Sequence, residues 1–139
     1  MKGYNGPDKS SANLYISDVE LTNSWIAKAL KPADLDALLK QVDFNRQIVV
    51  SLSFGKRKTA TGTIHISDIK YNTVYKSLSI SGLIGVNKKG CTENRSDSFP
   101  FALAIADRPP TITQPPGLYV QNFPDGCKNT VSGSHVDSS

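Results

Sequence analysis

The sequence predicts an α+β, mainly β domain: one short amphipathic helix packed on a mostly antiparallel sheet or sandwich, followed by an irregular proline-rich tail. Three observations carry this. Four stretches between Ile48 and Ala106 alternate large apolar residues with polar or small ones at period two, the pattern of strands with one buried face. Only Leu35 to Val42 repeats at clear helical spacing. Five of the eight prolines follow Asp107, where they exclude a regular helix or a central strand. At 139 residues the chain is one domain long. It divides into a flexible lead-in over 1–11, a globular domain over 12–108 and a tail over 109–139.

The lead-in holds Gly3, Gly6 and Pro7 among polar residues. Asn13 to Leu21 reads as a strand or extended segment, and Ser24 to Leu30 as a helical turn. Pro32 suits the first position of a helix, where its missing N–H costs nothing. Asp34 and Asp36 favour the positive end of the helix dipole. Leu35, Leu38, Leu39 and Val42 then form one stripe, so the helix spans about 32–41 and faces a sheet.

From Gln47 the period becomes two. Ile48, Val50, Leu52 and Phe54 define one buried face of the first strong strand. A loop from Gly55 to Gly62 leads to Thr63–Ile69, with Ile64 and Ile66 on one side and His65 and Ser67 on the other. Asn72 marks a turn. Leu78, Ile80, Gly82, Ile84 and Val86 alternate as a long strand, in which Gly82 allows a bend or bulge. After a polar loop, Phe101, Leu103 and Ile105 alternate with Ala102, Ala104 and Ala106. That small face calls for something packed closely over it. In the tail, Thr111–Thr113 and Leu118–Val120 are short extended candidates.

Composition and motifs narrow the function. Sixteen Lys and Arg against twelve Asp and Glu give a net charge of +4, which is only mildly basic. The basic residues cluster only at Lys56-Arg57-Lys58 and Lys88-Lys89, without the interleaved aromatics of a nucleic-acid interface. No apolar run is long enough for a membrane span. The two histidines, His65 and His135, have no partners at metal-ligand spacing. A nucleophile elbow and a P-loop are both missing. No catalytic residue, metal site or cofactor is therefore expected. Cys91 and Cys127 each sit beside a glycine in a polar stretch. One disulfide in an oxidising compartment is expected, with two free thiols as the alternative. Asn94-Arg95-Ser96 also fits the glycosylation pattern.

Val42-Asp43-Phe44 leads into Gln47-Ile48-Val49-Val50-Ser51-Leu52. Gly55 is followed by Thr61-Gly62-Thr63-Ile64-His65-Ile66-Ser67-Asp68-Ile69, and Ser98-Phe99-Pro100-Phe101-Ala102-Leu103 closes the pattern. Through these landmarks Val42 to Pro109 resembles the PrcB-like family, protease-complex stability proteins found as bacterial secreted proteins and lipoproteins. Trp25 and the helix before the first strong strand fit the same pattern. The resemblance implies an exported, non-catalytic domain that stabilises a complex. The hairpin is also similar to that of chagasin-like cysteine-protease inhibitors, without their Asn and Pro.

The expected function is that of an exported protein–protein interaction domain: periplasmic, cell-surface or extracellular, with its leader absent from this chain. It would act as an accessory or stabilising subunit of an extracellular or envelope complex. Lys56, Arg57, Lys58, Thr59, Ala60 and Thr61 are the expected partner-binding residues. The alternatives are a protease inhibitor using the 55–62 loop, and a structural subunit that self-associates through its tail. A binder of anionic polymers through the two basic clusters is a further possibility.

Overall fold

The computed structural model describes residues 1–57, 60–86, 97–125 and 136–137, and in it the chain builds three layers. A helical layer holds α1 (Asp18–Thr22), α2 (Trp25–Ala29) and α3 (Pro32–Gln41). The central layer is a five-stranded antiparallel sheet in the order β2-β3-β6-β1-β8: β1 is Lys2–Gly3, β2 Ser10–Tyr15, β3 Gln47–Phe54, β6 Phe101–Asp107 and β8 Val136–Asp137. The third layer is a mixed sheet in the order β4-β5-β7. There β4 (Ala60–Asn72) and β5 (Ser77–Val86) form an antiparallel hairpin, and β7 (Gly117–Pro124) joins β5 in parallel. The strands stack as β4 over β6, β5 over β3 and β7 over β2.

Local chemistry accounts for the elements. Helix α3 spans the expected residues, with Pro32 in its first turn and Lys40 in its last. Asn13 to Leu21 is not one extended segment. Strand β2 stops at Tyr15, because Ser17 and Glu20 start a helix there. The Ser17 hydroxyl accepts from the Glu20 amide at 3.2 Å, and the Glu20 carboxylate accepts from the Ile16 amide at 2.9 Å. This is close to the reciprocal pattern of a capping box. Ser24 caps α2 in the same way by accepting from the Ile26 amide.

The lead-in over 1–11 is not loose. Lys2 and Gly3 pair with Ala102 and Phe101, Tyr4 is buried, and the Gly6 amide donates to the Phe99 carbonyl at 2.8 Å. Nor is the tail irregular throughout. Its prolines flank β7, and at the sheet's edge β7 needs partners on one side only.

Two cores result. Between the sheets lie Ile48, Val50, Leu52 and Phe54 of β3, Ile64 of β4, Leu78, Ile80 and Ile84 of β5, and Ala102 of β6. Gly82 permits this approach: a Cβ there would run into Leu52 Cδ2 and lie 3.0 Å from Phe54 Cζ. The pairing slips by one residue beside it, where Ile66 faces Gly82 but Asp68 faces Ser81, so Ser67 forms a β-bulge. The second core lies between the sheet and the helices. It contains Val49, Phe101 and Leu103 with Leu21, Ile26, Leu30 and Leu38, and Leu35 packs at its margin. Leu35 and Leu38 thus share a core with Phe101 and not with Leu52, Phe54 and Ile80.

Candidate interaction surfaces

The two ends of the β4–β5 hairpin offer the candidate sites, about 40 Å apart along a 13-residue strand. At one end lies the expected partner-binding stretch. Its conformation is set by Gly55, whose φ of 75° is left-handed and whose missing Cβ would lie 3.2 Å from the Asp8 carbonyl. The Lys56 amide donates to that same carbonyl at 3.0 Å. The Lys56 ammonium is mostly exposed and pairs with Asp97 at 3.3 Å.

Arg57 is half-buried rather than projecting. Its backbone exchanges hydrogen bonds with Ser98, both at 2.8 Å. Its guanidinium donates to the Phe54 carbonyl at 3.1 Å and to Asn122 Oδ1 at 3.2 Å. Burial lowers its pKa from the ordinary arginine value. Ala60 and Thr61 are not loop residues, because β4 begins at Ala60 opposite Val86. Thr63 donates to Asp125 at 2.7 Å, and the Asp125 amide donates to the Val86 carbonyl at 2.8 Å. The described charges at this end are therefore largely turned onto the protein's own groups. Lys58 and Thr59 lie outside the described residues. So do Lys88, Lys89, Cys91, Asn94, Cys127 and His135.

The other end has the opposite character. Between Asn72 and Ser77 the turn presents Val74, 81% exposed, and Tyr75, 69% exposed. Exposure there does not mean slackness. Asn72 Oδ1 accepts from the amides of both Val74 and Tyr75 at 2.9 Å, an Asx-turn arrangement. Lys76 takes the left-handed φ of 53° that lets the chain re-enter β5. The segment after β6 braces the turn from outside. The Thr113 amide donates to the Lys76 carbonyl at 2.9 Å, its hydroxyl donates to the Tyr75 carbonyl at 3.2 Å, and the Tyr71 hydroxyl donates to the Thr111 carbonyl.

Sequence reasoning marked Asn72 as a turn but passed over what the turn carries. The available signal was two consecutive apolar residues, Val74 and Tyr75, inside a polar run bounded by Asn72 and Lys76. His65 is half-exposed on the strand face opposite the inter-sheet core, as expected for a residue between Ile64 and Ile66. Among the described residues no cluster of His, Cys, Asp and Glu could hold a metal ion, and no helix is long and apolar enough to cross a membrane. Comparison with known protein families, with curated proteins and with solved structures finds no match.

Proposed function

We infer that this chain is an exported, non-catalytic protein–protein interaction domain, an accessory or stabilising subunit that docks through the tip of the β4–β5 hairpin. The carrying observation is the Val74–Tyr75 pair: an aliphatic and an aromatic side chain held in water by a turn ordered through Asn72 and Thr113. These side chains gain little from folding, so the apolar area they hold in water is available for a partner to bury. A pre-ordered turn also loses little entropy on docking. The resemblance of Val42–Pro109 to the PrcB-like family supports the exported, non-catalytic part of this reading. Lys56 and its neighbours through Thr61 form a secondary, charged contact. Its exposed ammonium supplies encounter rate more than affinity.

Photo-crosslinking from position 74 in cells of the source organism identifies the partner. Val74→Asp and Tyr75→Ser should then each lower the affinity of the purified pair at least tenfold without changing the thermal midpoint. Lys56→Glu should mainly slow association at low salt. Full affinity in a folded Val74→Asp, Tyr75→Ser double variant would move the interface to the 56–61 end.

Export implies a Cys91–Cys127 disulfide. Cys91 follows Val86 by five residues and Cys127 follows Pro124 by three, and Val86 and Pro124 face each other across β5 and β7. The bond would contribute about 4 kcal/mol at this loop length. Intact mass under non-reducing conditions should be two hydrogens lighter than after reduction, and two thiols that alkylate freely in the native protein would refute it.

A further inference from the structure

Among the described residues neither edge of the β4-β5-β7 sheet has a further strand, and the two edges treat their unpaired backbone differently. Strand β4 carries the usual protection: Asp68 and Lys70, ion-paired at 3.4 Å, and the bulge at Ser67. Strand β7 carries none of these. It runs in unbroken register with β5 from Gly117 to Pro124, and Leu118 to Phe123 holds no charged residue and no proline. Leu118 and Val120 point into the inter-sheet core, which leaves Tyr119, Gln121 and Phe123 on the outer face. Tyr119 is 60% exposed, and its ring lies over Gly117, where a Cβ would stand 3.2 Å from Cε2.

We propose that β7 pairs antiparallel with β7 of a second copy of this chain, joining two three-stranded sheets into one of six strands. The strand's neutrality selects this occupant, since an uncharged strand meets its own image with no like charges opposed. A two-fold axis turns identical strands antiparallel and closes the assembly at two. Facing residues must share a sheet face, so the axis passes through a residue and not between two. With Gln121 on the axis, Tyr119 stands opposite the second copy's Phe123 on the outer face, and an aromatic pair forms twice. With Val120 on the axis, Phe123 would face only Gly117. The register therefore centres on Gln121.

Sedimentation equilibrium of the full chain, up to about 1 mM, tests this at an affinity of only about 4 kcal/mol. The wild type should dimerise. Gln121 is exposed, so Gln121→Lys and Gln121→Glu should fold, yet each should be monomeric because like charges meet at the axis. An equimolar mixture of the two should restore a dimer containing one of each. A wild type that stays monomeric throughout overturns the proposal and leaves the edge to a strand of another protein. Variants that dimerise as the wild type does, or a mixture that stays monomeric, also overturn it.

Discussion

The two faces of the five-stranded sheet are filled by the same pair of strands in opposite ways. Toward the second sheet, β3 sets Ile48, Val50 and Leu52 against Ala106, Ala104 and Ala102 of β6. Toward the helices, β3 sets Val49, Ser51 and Ser53 against Ile105, Leu103 and Phe101. Large meets small on both sides except at Val49 and Ile105, but the strand that supplies the bulk changes with the face. The inter-sheet side is apolar wherever β3 meets β6. The helix side buries hydroxyls: Tyr15 shares a hydrogen bond with Ser51 at 3.3 Å, and Ser53 donates to the Lys9 carbonyl at 3.1 Å. A second sheet covers its neighbour with side chains alone. On the helix side the partners of Ser51 and Ser53 are Tyr15 of β2 and the segment before it, while the N-termini of α1 and α2 are capped by Ser17 and Ser24.

The comparison breaks most clearly at Phe101. Its ring is fully buried and meets Trp25 edge to face, with 5.1 Å between centroids. Phe101→Ala should cost about 3–5 kcal/mol, read as a fall in the denaturant midpoint. Because the helix layer rests on this ring, the helical circular dichroism should weaken in the same transition.

On the opposite face the sensitive position adds volume instead of removing it. Gly82→Ala should cost about 1–3 kcal/mol by overpacking against Leu52 and Phe54. Leu52→Ala in the same chain should recover part of that cost, and the coupling in a double-mutant cycle measures how firmly the sheets are pressed together.

The smallest effect sharpens the polar side. Tyr15→Phe removes the bond to Ser51 and should cost about 1 kcal/mol at neutral pH. Burial raises the Tyr15 pKa, ahead of a smaller opposing effect of the Ser51 hydrogen bond. The unfolded chain therefore gives up this proton at lower pH than the native protein. The contribution is complete below about pH 10 and falls as pH rises from there toward the native value. Stability should drop less steeply above pH 10 in Tyr15→Phe than in the wild type.

Periodicity made much of this architecture legible. The boundaries of α3 and β3 follow from stripe and alternation, and the alanines of β6 called for a close cover, which the second sheet supplies. What escaped depends on distance along the chain. Two residues of β1 are too few to show a period, and their partners stand at positions 101 and 102. The alternation in β6 shows two distinct faces but not which one the helices take, so it does not tell that Phe101 packs with Leu38 and not with Leu52 and Phe54. Leu118–Val120 marked part of β7, but the prolines concealed its length, because Pro115 and Pro116 precede it and Pro124 only ends it. At the site, a run of three cations suggested three exposed side chains. Arg57 instead reaches back to a carbonyl exposed where β3 ends, which the sequence does not display.

The pairing of Lys2 with Ala102 also sets an order in time. A ribosome delivers the first strand about 100 residues before the strand it must join. At roughly 5–20 residues per second, that leaves the N-terminus waiting about 5–20 s. During this interval Tyr4, buried in the finished domain, has no sheet to enter. The helices and the β4–β5 hairpin, built from neighbours in sequence, can form meanwhile. The central sheet becomes continuous only when β6 arrives between β3 and β1, and that one strand joins both of its halves before β7 and β8 are added at the edges.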